Sequence, residues 1–144
     1  MARVSIRQID LTLPVPPSPN EWPKHPMQLA RKKNHYRRQV WIEAIQQHKP
    51  WMEPPHKVVA SATFYVWNKR DEDNLTASLK WTLDALKRDQ TGKMHWREGV
   101  ADMKGYIIDD DPEHLTVVKP SQEIDREDPR LVLILRWNEE KRAA

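Results

Sequence analysis

The chain has 144 residues and a net charge of +3, with an isoelectric point near 9.2, 31% charged residues and a mean hydropathy of −0.86. That allows one domain with its own core, and it fits a soluble protein that meets a polyanion as well as an ordinary mildly basic domain. The absence of cysteine excludes disulfides, thiolate zinc sites and cysteine nucleophiles, and no apolar run approaches the ~18 residues a membrane helix needs, so an intracellular, cytoplasmic protein is expected.

Val4 to Leu13 alternates, with Ile9, Leu11 and Leu13 on one side, and predicts a first strand. It runs into Leu13-Pro-Val-Pro-Pro-Ser-Pro-Asn20, which can be neither helix nor central strand. This segment is either a rigid polyproline-type connection or a presentation of Ser18 and Asn20 beside a site. Residues 27 to 47 predict the first helix, with Leu29, Tyr36, Val40 and Ala44 as its inner line. Arg31, Lys32, Lys33, Arg37 and Arg38 fall on its outer surface, Lys24 and His25 lie just upstream, and no acid occurs between Glu21 and Glu43. With Trp41 nearby, that run is either a solvated face or a surface that contacts phosphates. Pro50, Pro54 and Pro55 close the helix.

Lys57 to Trp67 alternates Val58, Ala60, Ala62, Phe64 and Val66 with Val59, Ser61, Thr63, Tyr65 and Trp67, and predicts a central strand covered on at least one side. Asn68-Lys69-Arg70 leads into Asp71-Glu-Asp-Asn-Leu75 at the mouth of a second helix, a common place for ligand chemistry. Leu75, Leu79, Leu83 and Leu86 form its apolar stripe, while Asp73, Ala77, Lys80 and Asp84 share a second line. Residues 89 to 105 predict a loop or short helix, and Tyr106-Ile-Ile-Asp-Asp-Asp111 is an apolar step ending in three acids. His114 to Val118 predicts another strand, 123 to 130 a charged turn, Leu131 to Trp137 a last strand, and 138 to 144 a frayed tail. Together these predict a single-domain α+β two-layer sandwich over 1–144, a mixed sheet of about four strands with two main helices on one face. Seven tryptophans exceed what one small core needs, so some are expected at an interface or against bases.

Asp71 and Asp73 point to one side of an extended segment, where a divalent cation relieves their repulsion. The alternative is that Asp73 is the helix N-cap and Asp71 a solvated turn residue. Three consecutive acids at 109 to 111 repel one another in a compact fold. If that turn meets the 71-to-73 turn, the two form a hard, all-oxygen Mg²⁺ or Mn²⁺ site. Lys80 stands about 10 Å along the helix axis from Asp73. It is either half of an i, i+4 pair with Asp84 or a fixed charge at a scissile phosphate. The six histidines show no metal-ligand spacing with one another, and His114 is the one near the acids.

Leu13-Pro14-x-Pro16-Pro17-x-x-Asn20, then Asp71-x-Asp73-Asn74-Leu75 with Lys80 and Asp84-Ala85-Leu86, then Ile107-Ile108-Asp109-Asp110, resembles the RusA family of Holliday junction resolvases. The match covers about residues 9 to 118 in the right order. Members are small phage and bacterial endonucleases that act as homodimers, bind four-way DNA junctions and nick two strands symmetrically with Mg²⁺ or Mn²⁺. Carried over by position, the resemblance implies that Asp71, Asp73 and Asp110 are catalytic metal-binding acids, with Asp109 able to exchange roles with Asp110. It makes Lys80 the active-site lysine and Asn74 and Asn20 supporting residues. Lys24, Arg31, Lys32, Lys33, Arg37, Arg38, Lys69 and Arg70 are then the expected DNA contacts, in recombination and repair. This chain departs from the shortest members in placing its lysine seven rather than about four residues after Asp73, and in a longer 89-to-105 loop carrying Trp96 and Arg97.

Overall fold

The computed structural model describes residues 2–51, 53–89, 94, 96–97 and 104–142. In chain order it forms β1 (Ala2–Leu13), α1 (Pro26–Gln47), β2 (Val58–Val66), α2 (Glu72–Leu86), β3 (Leu115–Val117), β4 (Ser121–Ile124) and β5 (Arg130–Arg142). The sheet runs β1-β5-β2, and the far edge of β2 is shared end to end by β3 and β4. Strands β1 and β2 are antiparallel to β5, whereas β3 and β4 are parallel to β2. The α+β sandwich expected from the sequence is therefore present, with five strands.

Alternation decides which face of the sheet is covered. Val58, Ala60, Ala62, Phe64 and Val66 are buried, and the register Leu11↔Leu133↔Ala62 places the leucines of β1 and β5 on the same side. Leu75, Leu79, Leu83 and Leu86 of α2, and Tyr36, Val40, Trp41 and Ala44 of α1, pack down onto them. Each fully buried leucine removes enough apolar surface from water to stabilise the fold by about 1.5–3 kcal/mol. Trp41 is part of this core, edge-on to Tyr106 with ring centroids 5.8 Å apart, and so has no face for a base. Arg37 also departs from its expected outer position. Its guanidinium bonds Asp84 at 3.0 Å and ties α1 to α2.

Two expectations at the C-terminal end change. Glu123 and Ile124, which open the expected 123-to-130 turn, instead belong with Ser121 and Gln122 to a strand paired with Thr63–Val66. The tail pairs through Ala2↔Arg142, so the residues from Asn138 to Arg142 extend β5 instead of fraying. Main-chain hydrogen bonds hold both segments, and these need no apolar side chains. The expected 89-to-105 loop lies largely outside the described residues. Within it Arg97 is buried against the face of Trp41 at 3.8 Å, and its guanidinium donates to the carbonyls of Ala85, Lys87 and Lys104. It thus closes the C-terminal end of α2, where backbone carbonyls lack helical partners. Burial lowers its pKa to about 10, which leaves it charged at neutral pH.

Candidate functional site

Strand β2 hands the chain through Trp67-Asn-Lys-Arg70 to the N-terminus of α2, whose first turn carries Glu72 and Asp73. Asp71 occupies the N-cap in extended backbone, φ −62° and ψ 146°, yet its carboxylate makes no capping hydrogen bond. The acid at the cap is Asp71 rather than Asp73, and both carboxylates are exposed. Acids here complement the positive end of the helix dipole and remain open to a ligand. Ser18 and Asn20, from the proline-rich segment, line one cavity of about 470 Å³ together with Asp71, Asn74, Trp67 and Lys69. The proline-rich connection is thus both rigid and beside the site.

Two contacts hold this entrance in place. The Gln122 side chain grips the main chain of Arg70, its Oε1 accepting from the Arg70 N–H at 2.8 Å and its Nε2 donating to the Arg70 carbonyl at 2.7 Å. The Arg70 guanidinium in turn donates to the Pro16 carbonyl at 2.6 Å and lowers its own pKa chiefly through burial. Arg70 therefore anchors the proline-rich segment under Asp71. Neither Gln122 nor this use of Arg70 has a signature in the sequence, because both depend on β4 lying beside β2.

The second acidic group lies elsewhere. Tyr106 and Ile107 donate backbone N–H groups to the Leu86 carbonyl, and Gly105 pairs with Trp51. A Cβ on Gly105 would stand 2.5 Å from the Arg88 nitrogen, so only glycine lets this strip pass the end of α2. The strip delivers Asp109 and Asp110 to Lys87, whose ammonium is 3.8 Å and 3.7 Å from their carboxylates and 3.4 Å from Asp84. The N–H of Asp110, together with Lys87 and His114, holds the Asp109 pKa below the ordinary carboxylate value. Lys80, the lysine expected at the site, is exposed and forms no ion pair among the described residues. Lys87 carried one sequence signal, its i, i+3 spacing from Asp84.

Beyond this turn, Asp111, Glu113 and His114 bring one donor atom each within 4.8 Å of one another and could hold a metal ion. The parallel pair Val58↔Leu115 also brings His56 alongside, its ring 4.9 Å from that of His114. No sequence spacing links 56 to 114; the strand register does.

Asp71 and Lys87 bracket α2, sixteen residues apart and so about 24 Å along the axis. The sheet gives the same answer, since Asp111 and His114 border the start of β2 while Asp71 follows its end. Mg²⁺–oxygen bonds of about 2.0–2.1 Å cannot span that gap. Within one chain, Asp71 and Asp73 do not meet Asp109 and Asp110.

The basic residues divide as well. Lys32 donates to the Glu21 carbonyl at 3.2 Å, and Lys33 lies 5.7 Å from the centroid of the Trp81 ring, which stacks on Trp22. Lys24, Arg31, Arg38 and Lys69 are exposed. No helix among the described residues is long and apolar enough to cross a membrane. Comparison with family models and with characterised proteins returns no match.

Proposed function

We propose that this chain is a metal-dependent DNA endonuclease that resolves four-way junctions as a homodimer. The observation that carries this reading is the entrance of α2. Asp71 and Asp73 stand exposed without a capping hydrogen bond, beside a cavity lined by Asn20, Asn74 and Lys69. Carboxylate and amide oxygens are hard donors, the set that suits Mg²⁺ or Mn²⁺. The sequence blocks resembling RusA resolvases fall on the same residues.

Asp71 and Asp73 would hold one face of the ion, and Asp110 with Asp109 would complete it. Because α2 separates these pairs within a chain, a shared ion takes them from different protomers. A two-fold dimer does this twice, joining each α2 N-terminus to the acidic turn of its partner. Lys87 offsets part of the charge of that turn. A bound divalent ion supplies an activated water and charge neutralisation at the phosphate. Lys80, Lys69 and the exposed arginines of α1 contribute fixed positive charge along the backbone of the DNA.

The separation of the acids also supports a second reading, a branched-DNA-binding protein without catalysis, whose acids serve only the helix entrance and a turn. A third, a nuclease of flaps or forks, differs in substrate alone. The test is cleavage of a synthetic four-way junction beside a linear duplex of the same sequence, with Mg²⁺ and with EDTA. Paired symmetric nicks in the junction only, lost in EDTA and in Asp73→Asn while that variant still binds the junction, are expected. Tight junction binding with no nicks under Mg²⁺ or Mn²⁺ would establish the silent binder instead.

A further inference from the structure

Trp67 stands apart from the other described tryptophans. Trp41 and Trp81 are buried, and Trp22, Trp51, Trp96 and Trp137 are packed against the core, whereas Trp67 is 57% exposed. So large an apolar ring in water gains nothing for the fold. Arg126 fixes its position, donating to the Trp67 carbonyl at 3.2 Å and placing its guanidinium 5.5 Å from the ring centroid. Trp67 lines the 470 Å³ cavity together with Asp71, Asn20, Asn68, Lys69 and Asn74.

We propose that this cavity receives one nucleotide unpaired from its partner at the branch point, its base stacked on Trp67. The assignment rests on the nuclease reading above and names what the site recognises. The volume falls within the range of about 300–1,000 Å³ typical of small-ligand pockets. Aromatic stacking accepts any base, because every base has a π-face. The three asparagine amides each offer donors and an acceptor, so they can satisfy more than one base edge. Lys69, in the cavity wall with Asp71, and Arg126, beside the Trp67 ring, add positive charge for the attached phosphate. A continuous duplex keeps its bases stacked and paired, whereas at the branch point the continuous stack is already broken, so taking one base out of its pair costs least there. The cavity thereby couples cutting to the branch rather than to a sequence.

The test places 5-iodouracil at successive positions around the branch of a four-way junction, with Ca²⁺ replacing Mg²⁺, and irradiates the complex. One branch-point position is expected to crosslink to Trp67, with no crosslink in the arms. Trp67→Ala should lose that crosslink and slow junction nicking in Mg²⁺ by roughly 10- to 100-fold, the scale of one lost base stack. Binding to linear duplex should be unchanged, and Trp67→Phe should retain most of the activity. Junction nicking by Trp67→Ala at the wild-type rate, or crosslinking at another residue, would overturn the assignment while leaving the nuclease reading intact. If the wild-type protein neither binds nor nicks junctions, the nuclease reading fails. A single strand carrying the same probe then decides the cavity, a Trp67 crosslink upholding it and none overturning it.

Discussion

The Tyr36 hydroxyl joins three segments of the fold. It donates to the Pro14 carbonyl at 2.8 Å, which leaves its oxygen to accept from the Thr82 hydroxyl, also at 2.8 Å. Burial pushes its pKa far up, so it stays a neutral donor throughout the working pH range. Tyr36→Phe strands the Pro14 carbonyl and the Thr82 hydroxyl in the interior, and a destabilisation of about 1–3 kcal/mol is expected in denaturant melts. Asp125 is a second residue with a measurable signature. Its pKa is lowered first by Arg130, whose guanidinium donates at 2.8 Å, and then by the backbone N–H groups of Asp128 and Glu127. A depressed acid contributes stability that is complete above its unfolded value near 3.8 and is lost as the pH falls through the lower folded value. Melting temperatures followed from pH 7 downwards should therefore fall more steeply in acid for wild type than for Asp125→Asn. Parallel curves would show that this turn gains nothing from ionisation.

At the scale of elements, β4 matters more than its four residues suggest. Through Gln122 it sets the main chain immediately before Asp71. If Asp71 holds Mg²⁺ as proposed, Gln122→Ala should raise the Mg²⁺ concentration for half-maximal junction nicking by about 10-fold or more, with little change in melting temperature. Gln122→Glu keeps the acceptor for the Arg70 N–H and should recover part of that affinity. An unchanged Mg²⁺ requirement in the alanine variant would limit Gln122 to a packing role. Such dependence was not legible in the sequence, and the reason is physical. Strand β2 and helix α2 bury one face each, so their periods appear as Val58-Ala60-Ala62-Phe64-Val66 and Leu75-Leu79-Leu83-Leu86. Ser-Gln-Glu-Ile buries no comparable face and leaves no period behind. Arg37 departs from its expected outer position for a related reason. A helix packed against both a sheet and a neighbouring helix is covered over more than one stripe, which a single inner line does not describe.

At the scale of the whole molecule, on the proposed nuclease reading, two acidic groups at opposite ends of α2 would have to act on one phosphate. Each was legible in sequence, as Asp71-x-Asp73 and Asp109-Asp110, but their separation follows only from the lengths of α2 and β2 and the register of β3. A homodimer that shares its sites predicts complementation between two inactive chains. Co-expressed Asp73→Asn and Asp110→Asn protomers form mixed dimers in which one site carries both substitutions and the other carries none. Junction nicking should then return to about a quarter of the wild-type rate, since half the dimers are mixed and each has one intact site. Mixed dimers that stay inactive, while wild-type dimers cut, would contradict a site built from two protomers.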